Sequence, residues 1–249
     1  MPIESGYRDD LAYIHDVGHG AIARDAAARL VKELAGLGKK GTVVDVGCGS
    51  GILAEAVTGA GYLVLGVDVS EAMLALARAR APSAEFRIGS FVTTALPESV
   101  AVTAVGEVLC YAFDSANDDR ERAAWFRRAH DALCPGGVLL FDIASPERVP
   151  LQGSHRTFAT QADWAVLAEA RVEEPSGKLV RRITSFRRIG TLYRRDDEIH
   201  RLSLIDPAAT LTMLRDVGFQ AEILPAYGSV SLPRGVVAFL CRKPVNKAV

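Results

Sequence analysis

The sequence predicts a doubly wound α/β fold: a mostly parallel seven-stranded sheet that ends in an antiparallel hairpin, with an antiparallel β cap inserted before the last helix. Three observations predict it. Short apolar runs alternate with helix-periodic segments between residues 21 and 143. The first of these runs passes directly into Gly47-Cys48-Gly49-Ser50-Gly51 and then into a helical pattern. After Pro146 the periodicity changes to strand-like alternation and reverts only at Asp206-Pro207.

Taken in order, Ile22, Ala26, Leu30, Val31 and Leu34 recur at helical spacing over about 21–37, and Gly36, Gly38 and Gly41 break that helix. Residues 42–46 read as a buried strand. The glycines that follow at alternate positions remove side chains where the backbone turns sharply against a ligand, and the next helix offers unpaired N–H groups. That helix, 52–57, stops at Gly59 and Gly61, and 63–68 is a second buried strand ending in the carboxylate of Asp68. Ser70 caps a helix over 71–79 with Glu71 near its positive end, and Pro82 ends it before a short strand at 85–88. A fourth strand at 101–106 precedes a helix at 117–133 with an acidic start, and Pro135-Gly136-Gly137 turns the chain into a fifth strand at 138–143. Runs at 164–173, 178–188 and 192–204 alternate, with a turn at Pro175-Ser176-Gly177, and mark a cap insertion of about 145–205. Asp206 and Pro207 start a helix that Gly218 ends, and strands at 220–224 and 236–241 close the chain. The short connection at 229–234 makes that pair antiparallel.

A chain of 249 residues with 49% hydrophobic content suits one large domain, 1–249, carrying the insertion. A net charge of -1 provides no global field for nucleic acid or an anionic membrane. Cys48, Cys110, Cys134 and Cys241 are scattered without metal-ligand spacing, so no metal is expected and a reducing, cytoplasmic setting fits. Glu4, Arg8, Asp9 and Asp10 stand where a signal peptide needs an apolar stretch, and no run reaches membrane-spanning length, so neither export nor anchoring is expected. Nothing in the sequence specifies an oligomeric state.

The glycine spacing leans away from a dinucleotide, whose fingerprint Gly-x-Gly-x-x-Gly has its third glycine where Ile52 stands here. Asp45-Val46-Gly47-Cys48-Gly49-Ser50-Gly51, followed by Gly66-Val67-Asp68-Val69-Ser70 with Met73-Leu74, resembles the first two motifs of the class I S-adenosylmethionine-dependent methyltransferases, a Rossmann-like family. Leu133-Cys134-Pro135-Gly136-Gly137-Val138-Leu139 is similar to that family's turn into strand five. The resemblance spans roughly the whole chain and implies S-adenosyl-L-methionine as cofactor. It implies that Asp45, Gly47, Cys48, Gly49 and Gly51 form the turn against its methionine part, and that Asp68 accepts hydrogen bonds from its ribose beside Val69 and Met73. Ser90 and Phe91 would flank the adenine, although the family often carries an acid where Ser90 stands. Glu107 would lie near the sulfonium and methionine end, and an N-terminal helical lid, about 1–37, would fold over the cofactor.

Methyl transfer from a sulfonium is an in-line displacement that needs alignment and dehydration more than a nucleophile. A hydroxyl or ammonium acceptor must still lose a proton, and His15, Glu107 and His200 are the candidate catalytic groups. Tyr13, Tyr111 and His200 are the candidate acceptor contacts. Each has a plainer reading: His15-Asp16 as a surface pair, His200 as a strut between cap and core, Tyr111 as a buried aromatic with a satisfied hydroxyl. The pairs Arg181-Arg182, Arg187-Arg188 and Arg194-Arg195 either turn one arginine each toward an anionic acceptor or form a solvated rim countered by Asp196, Asp197 and Glu198. The family's Asn/Asp-Pro-Pro-aromatic motif for amino bases is absent after strand four, where Gly106-Glu107-Val108-Leu109 stands. The expectation is therefore a methyltransferase for a small-molecule acceptor, without nucleic acid or membrane. The alternatives are a noncatalytic S-adenosylmethionine-binding regulatory or partner subunit and, disfavoured by the glycine spacing, a nicotinamide oxidoreductase.

Overall fold

The computed structural model describes residues 6–148 and 153–245. Residues 1–5 of the expected lid and 149–152 of the expected insertion lie outside the described residues.

Parallel strands β1 (Thr42–Val46), β2 (Leu63–Asp68), β3 (Glu85–Ile88), β4 (Ser99–Ala104) and β5 (Leu133–Ala144) alternate with helices α3 (Ile52–Gly59), α4 (Glu71–Arg80) and α5 (Asp119–Ala132). Two helices, α1 (Asp9–His19) and α2 (Ala21–Leu37), precede them. Strands β6 (His155–Thr160), β7 (Trp164–Glu173), β8 (Lys178–Ile189) and β9 (Leu192–Leu202) form a separate antiparallel sheet, and α6 (Pro207–Val217), β10 (Gln220–Leu224) and β11 (Val236–Arg242) return the chain to the first. The main sheet has seven strands in the order β10-β11-β5-β4-β1-β2-β3, with β11 antiparallel to both neighbours. This is the expected architecture.

Central strands are apolar on both faces because helices cover both. Val44, Val46, Leu139 and Phe141 pack with Trp125 and Phe239, while Val43, Val138 and Leu140 pack with Leu30, Leu34 and Leu53 on the other side. Period-two alternation along each strand thus divides the core in two. The caps read from sequence are made: Ser70 Oγ accepts from Met73 N–H at 3.1 Å, and Asp206 accepts from Ala208 N–H at 2.7 Å. Asp118 accepts from Glu121 N–H, which starts α5 two residues later than the 117 read from the sequence.

Other boundaries move for identifiable reasons. Strand β4 ends at Ala104 because Asp142 draws the N–H groups of Gly106 and Glu107 out of the ladder, leaving Glu107 at φ +61. Strand β5 starts at Leu133, with Pro135-Gly136-Gly137 inside it where the register against β4 shifts, rather than as a turn before it. The insertion has four strands, not three: β6 was missed because its residues are almost all exposed and carry little apolar alternation. Strand β9 stops at Leu202 because Ser203 and Ile205 donate to the carbonyls of Cys110 and Ala144, tying the inserted sheet to the main one. Leu11 and Ile14 of α1 pack on Trp164 and Val166 of β7, joining the N-terminal helix to the inserted sheet. Among the described residues no helix is long and apolar enough to cross a membrane.

Candidate active site

A cavity of about 750 Å³ opens at the carboxyl ends of β1, β2, β3 and β4, where strand order reverses between β1 and β4. The glycine turn forms one wall, and its three glycines, all at positive φ, do different work. A Cβ on Gly47 would stand 2.3 Å from Val108, and one on Gly51 would stand 2.9 Å from the Ala77 backbone. Gly49 has nothing within 4 Å of that position and borders the cavity with its backbone bare. Gly47 and Gly49 line the cavity, whereas Gly51 packs α3 against α4.

Asp68 lines the cavity at the end of β2. Its two oxygens accept from Gly49 N–H and Ser70 N–H, each at 2.9 Å, so the carboxylate also braces the glycine turn. Burial raises its pKa, and the backbone donors only partly oppose that. Val69 and Met73 line the same wall. Asp45 and Cys48 lie beneath the turn and do not reach the cavity. The Asp45 carboxylate accepts from the Thr103 hydroxyl at 2.6 Å, and burial pushes its pKa to about 7; the Cys48 thiol is buried beside Gly66.

Farther along, Ser90 and Phe91 line the cavity, with Phe91 edge-on to Trp125 at 6.1 Å. The Ser90 hydroxyl donates to Asp114, which also lines the cavity. An acid therefore stands at this corner although the motif position carries serine. The aromatic run Tyr111-Ala112-Phe113-Asp114 was the available signal for it.

Residues from distant segments form the remaining wall: Tyr7, His15, Tyr111 and Phe113. Burial, reinforced by His19, pushes the His15 pKa down to about 4, so its imidazole is neutral at neutral pH. Asp16 is engaged elsewhere, accepting from Ser50 and from Arg80, each at 2.6 Å. The hydroxyls of Tyr7 and Tyr111 share a hydrogen bond at 2.8 Å. Tyr7 has no sequence signal, yet it sits at φ +56 with its N–H on Glu198 at 2.7 Å and its carbonyl accepting from Ser70 Oγ at 2.8 Å. Arg8 N–H donates to the other Glu198 oxygen at 2.8 Å. Residues 7 and 8 are thus strapped to β9 on one side and to the start of α4 on the other.

The other sequence candidates lie off the cavity wall. His200 is buried behind Tyr7, its ring centroid 4.8 Å from the tyrosine's, and its Nε2 bonds Glu198 at 2.8 Å. Glu107 turns away to accept from Arg181 at 2.7 and 3.0 Å and from Arg148 at 2.7 Å. Burial alone would raise its pKa, but Arg181 and Arg148 outweigh that and hold it below the ordinary value, so it is an ionised partner rather than a free base. Tyr13 donates to Asp163 at 2.8 Å beneath the Arg187 guanidinium. The arginine pairs split as alternation requires: Arg181 turns inward, Arg187 and Arg194 meet the buried Asp10, and Arg182, Arg188 and Arg195 are exposed. Among the described residues no cluster suits a metal ion.

Residues 43–137 match the methyltransferase domain family. The chain is 31% identical over 208 residues to the trans-aconitate 2-methyltransferase of Variovorax paradoxus, spanning 82% of this chain and 71% of that protein. The chain belongs to the S-adenosylmethionine-dependent methyltransferases. A putative methyltransferase of Geobacillus sp. is 33% identical over 141 residues, and this chain spans only 57% of its length. Among solved structures, a S-adenosylmethionine-dependent methyltransferase from Clostridium acetobutylicum shares the fold with a TM-score of 0.75 at 18% identity, covering 93% of this chain and 96% of that one. An amino pentose methyltransferase from Micromonospora echinaspora, solved with S-adenosylmethionine bound, gives 0.73 at 20% identity, covering 96% and 99%. The cofactor of this methyltransferase is S-adenosyl-L-methionine, and the site fits it: a bare glycine backbone, a carboxylate suited to paired ribose hydroxyls and an apolar slot at Phe91 border one cavity. When bound, it supplies an electrophilic methyl group on a sulfonium.

Proposed function

We propose that this methyltransferase acts on a small-molecule acceptor that meets the cofactor at the wall formed by Tyr7, His15 and Tyr111. The observation that carries the reading is a cavity in which one set of residues suits the cofactor and a second set, from the N-terminal segment and the chain after β4, presents a neutral imidazole and two hydroxyls. Asp68 holds the ribose, with Val69 and Met73 beside it; Gly47 and Gly49 admit the methionine part, supported from below by Asp45, Cys48 and Gly51. Ser90 with Asp114 and Phe91 bound the adenine. His15 takes the acceptor's proton, being the one candidate base that is both neutral and on the wall. Tyr111 and Tyr7 orient the acceptor and exclude water. His200 is a positioning residue, holding Glu198, which holds Tyr7. Glu107 acts through the arginines it binds, and Tyr13 fixes α1 to the inserted sheet.

The chain then works as a single domain over 1–249, with about 1–37 as lid and about 145–205 as cap over the acceptor. The relatives' names, trans-aconitate for one and an amino pentose for another, support a small acceptor. Nucleic acid and membrane have no part in this reading. Four free cysteines, three of them buried, support a reducing, cytoplasmic setting. The test is release of S-adenosylhomocysteine by purified protein offered a panel of organic acids, amino sugars and phenols. Turnover of a panel member that His15→Ala reduces more than S-adenosylhomocysteine binding supports the reading. Cofactor binding without turnover of any acceptor would count for a noncatalytic binding protein.

A further inference from the structure

A second cavity, an open cleft of about 1030 Å³ that is partly continuous with solvent, lies against the four-stranded sheet. It exists because β7 presents alanines there: Ala170 lies between His155 and Arg181, and Ala168 between Thr157 and Ile183, so small side chains leave room above the sheet. Arg148, Arg181 and Arg234 line it with His155, and among the described residues no carboxylate does. Glu107, which binds both Arg148 and Arg181, offsets one of the three positive charges.

These arginines are also under-used as donors. A guanidinium has five N–H groups. Among the described residues Arg148 engages Glu107 through Nε only. Arg181 donates from Nη2 to Glu107 and from Nη1 to the Tyr111 hydroxyl at 3.4 Å, and its Nε has no partner among the described residues. Only 15% of its side chain is exposed, so Arg181 is no solvated rim. A largely buried guanidinium with donors to spare beside a cationic cleft suits an anion. Glu107 keeps Arg148 and Arg181 aimed and partly neutralised until one arrives. Arg181 of this cavity also touches Tyr111 of the cofactor cavity at 3.4 Å, and this pair is the contact between the two sets of lining residues.

We infer that this cavity receives the anionic end, a carboxylate or a phosphate, of the methyl acceptor, with Arg148, Arg181 and Arg234 as its receptors. The inference rests on the reading above that the acceptor meets the cofactor at Tyr111. It makes the enzyme a methyltransferase for acids.

The test uses the protein saturated with S-adenosylhomocysteine and titrates in tricarballylate, its neutral triamide, and inorganic phosphate by calorimetry. Arg181→Gln or Arg148→Gln would leave Glu107 buried with one partner, so the variant is the double substitution Arg148→Lys, which keeps a cation for Glu107 but removes the guanidinium fork, and Arg234→Gln, with exposed Arg188→Gln as control. The expected result is binding of at least one anion and not of the triamide, weakening with added salt, and about tenfold or more weaker in the double variant but unchanged in the control. Tricarballylate binding points to a polycarboxylate acceptor and phosphate binding to a phosphorylated one. Neither anion binding while S-adenosylhomocysteine binds normally overturns this inference alone, as does equal anion affinity in the double variant. Loss of S-adenosylhomocysteine binding itself would instead strike the reading on which it rests.

Discussion

Asp68→Asn separates what the carboxylate does for the fold from what it does for the cofactor. In the protein without cofactor, Asp68 accepts two backbone N–H bonds, yet burial still wins and its pKa is raised. The sign follows: a carboxyl whose folded pKa exceeds its unfolded value favours folding more when protonated, so its charge costs stability above the folded pKa. Asparagine keeps one acceptor oxygen for Gly49 or Ser70, loses the other bond, and removes the buried charge. The loss of a hydrogen bond, about 1 to 3 kcal/mol, and the relief of desolvation oppose each other. The apo melting temperature should therefore move by only a few degrees in either direction, at about 2 to 4 °C per kcal/mol for a chain of this size. Binding has no such compensation. A ribose hydroxyl that donates to a charged oxygen contributes about 1.5 to 3 kcal/mol, and asparagine offers an amide N–H in place of one of the two acceptors. The dissociation constant of S-adenosylhomocysteine should rise about ten- to hundredfold. Calorimetry at neutral pH measures the second quantity and thermal denaturation without ligand the first. Affinity within about twofold of wild type would refute the ribose role; a collapse in melting temperature would refute the account of opposing terms.

Four further expectations follow from the same geometry. Gly51→Ala places a side chain at φ +79 with its Cβ 2.9 Å from the Ala77 backbone, and should cost about 2 to 4 kcal/mol of stability, readable as a fall of roughly 4 to 16 °C in melting temperature. Gly49→Ala, at φ +52 with open space around it, should lose cofactor affinity more than stability. The His15 pKa is lowered to about 4, so wild type should lose stability relative to His15→Gln as pH falls from about 6.5 to about 4, because the unfolded chain binds that proton first; parallel melting curves for the two proteins across this window would contradict the burial of His15. Glu198→Gln weakens the charged acceptor shared by Tyr7 and Arg8 N–H, so hydrogen exchange at those two amides should accelerate about tenfold or more and S-adenosylhomocysteine should dissociate faster; unchanged exchange would show that the strap is held elsewhere.

The main sheet could be read in the sequence because its determinants are local. The run Thr42–Val46 is apolar on both faces, Ser70 and Asp206 stand at the helix starts they cap, and the short connection before β11 permits only an antiparallel return. The misreadings arose where a distant group overrides a local pattern. Asp142 on β5 ends β4 by taking the N–H groups of Gly106 and Glu107 just beyond it, and the carbonyls of Cys110 and Ala144 end β9. No window along the chain contains either partner. Strand β6 escaped for the opposite reason: as an edge strand with nearly every residue exposed, it has no apolar period to detect.

The same division runs through the site. The half proposed for the cofactor is written in one contiguous turn and one carboxylate at a strand end, and Gly47, Gly49, Asp68, Val69, Met73, Ser90 and Phe91 all line the wall. The half proposed for the acceptor is assembled from residues that meet across the fold: Tyr7 with Glu198 over 191 residues, Glu107 with Arg181 over 74, Tyr7 with Tyr111 over 104. Glu107 illustrates the consequence. Its place after β4 points to the sulfonium, but the Asp142 clamp sets it at positive φ and sends its carboxylate to the inserted sheet, where it organises two arginines instead. A residue's distance along the chain from the glycine turn says how near its backbone lies to the cofactor; which cavity its side chain enters is decided by the partner it meets.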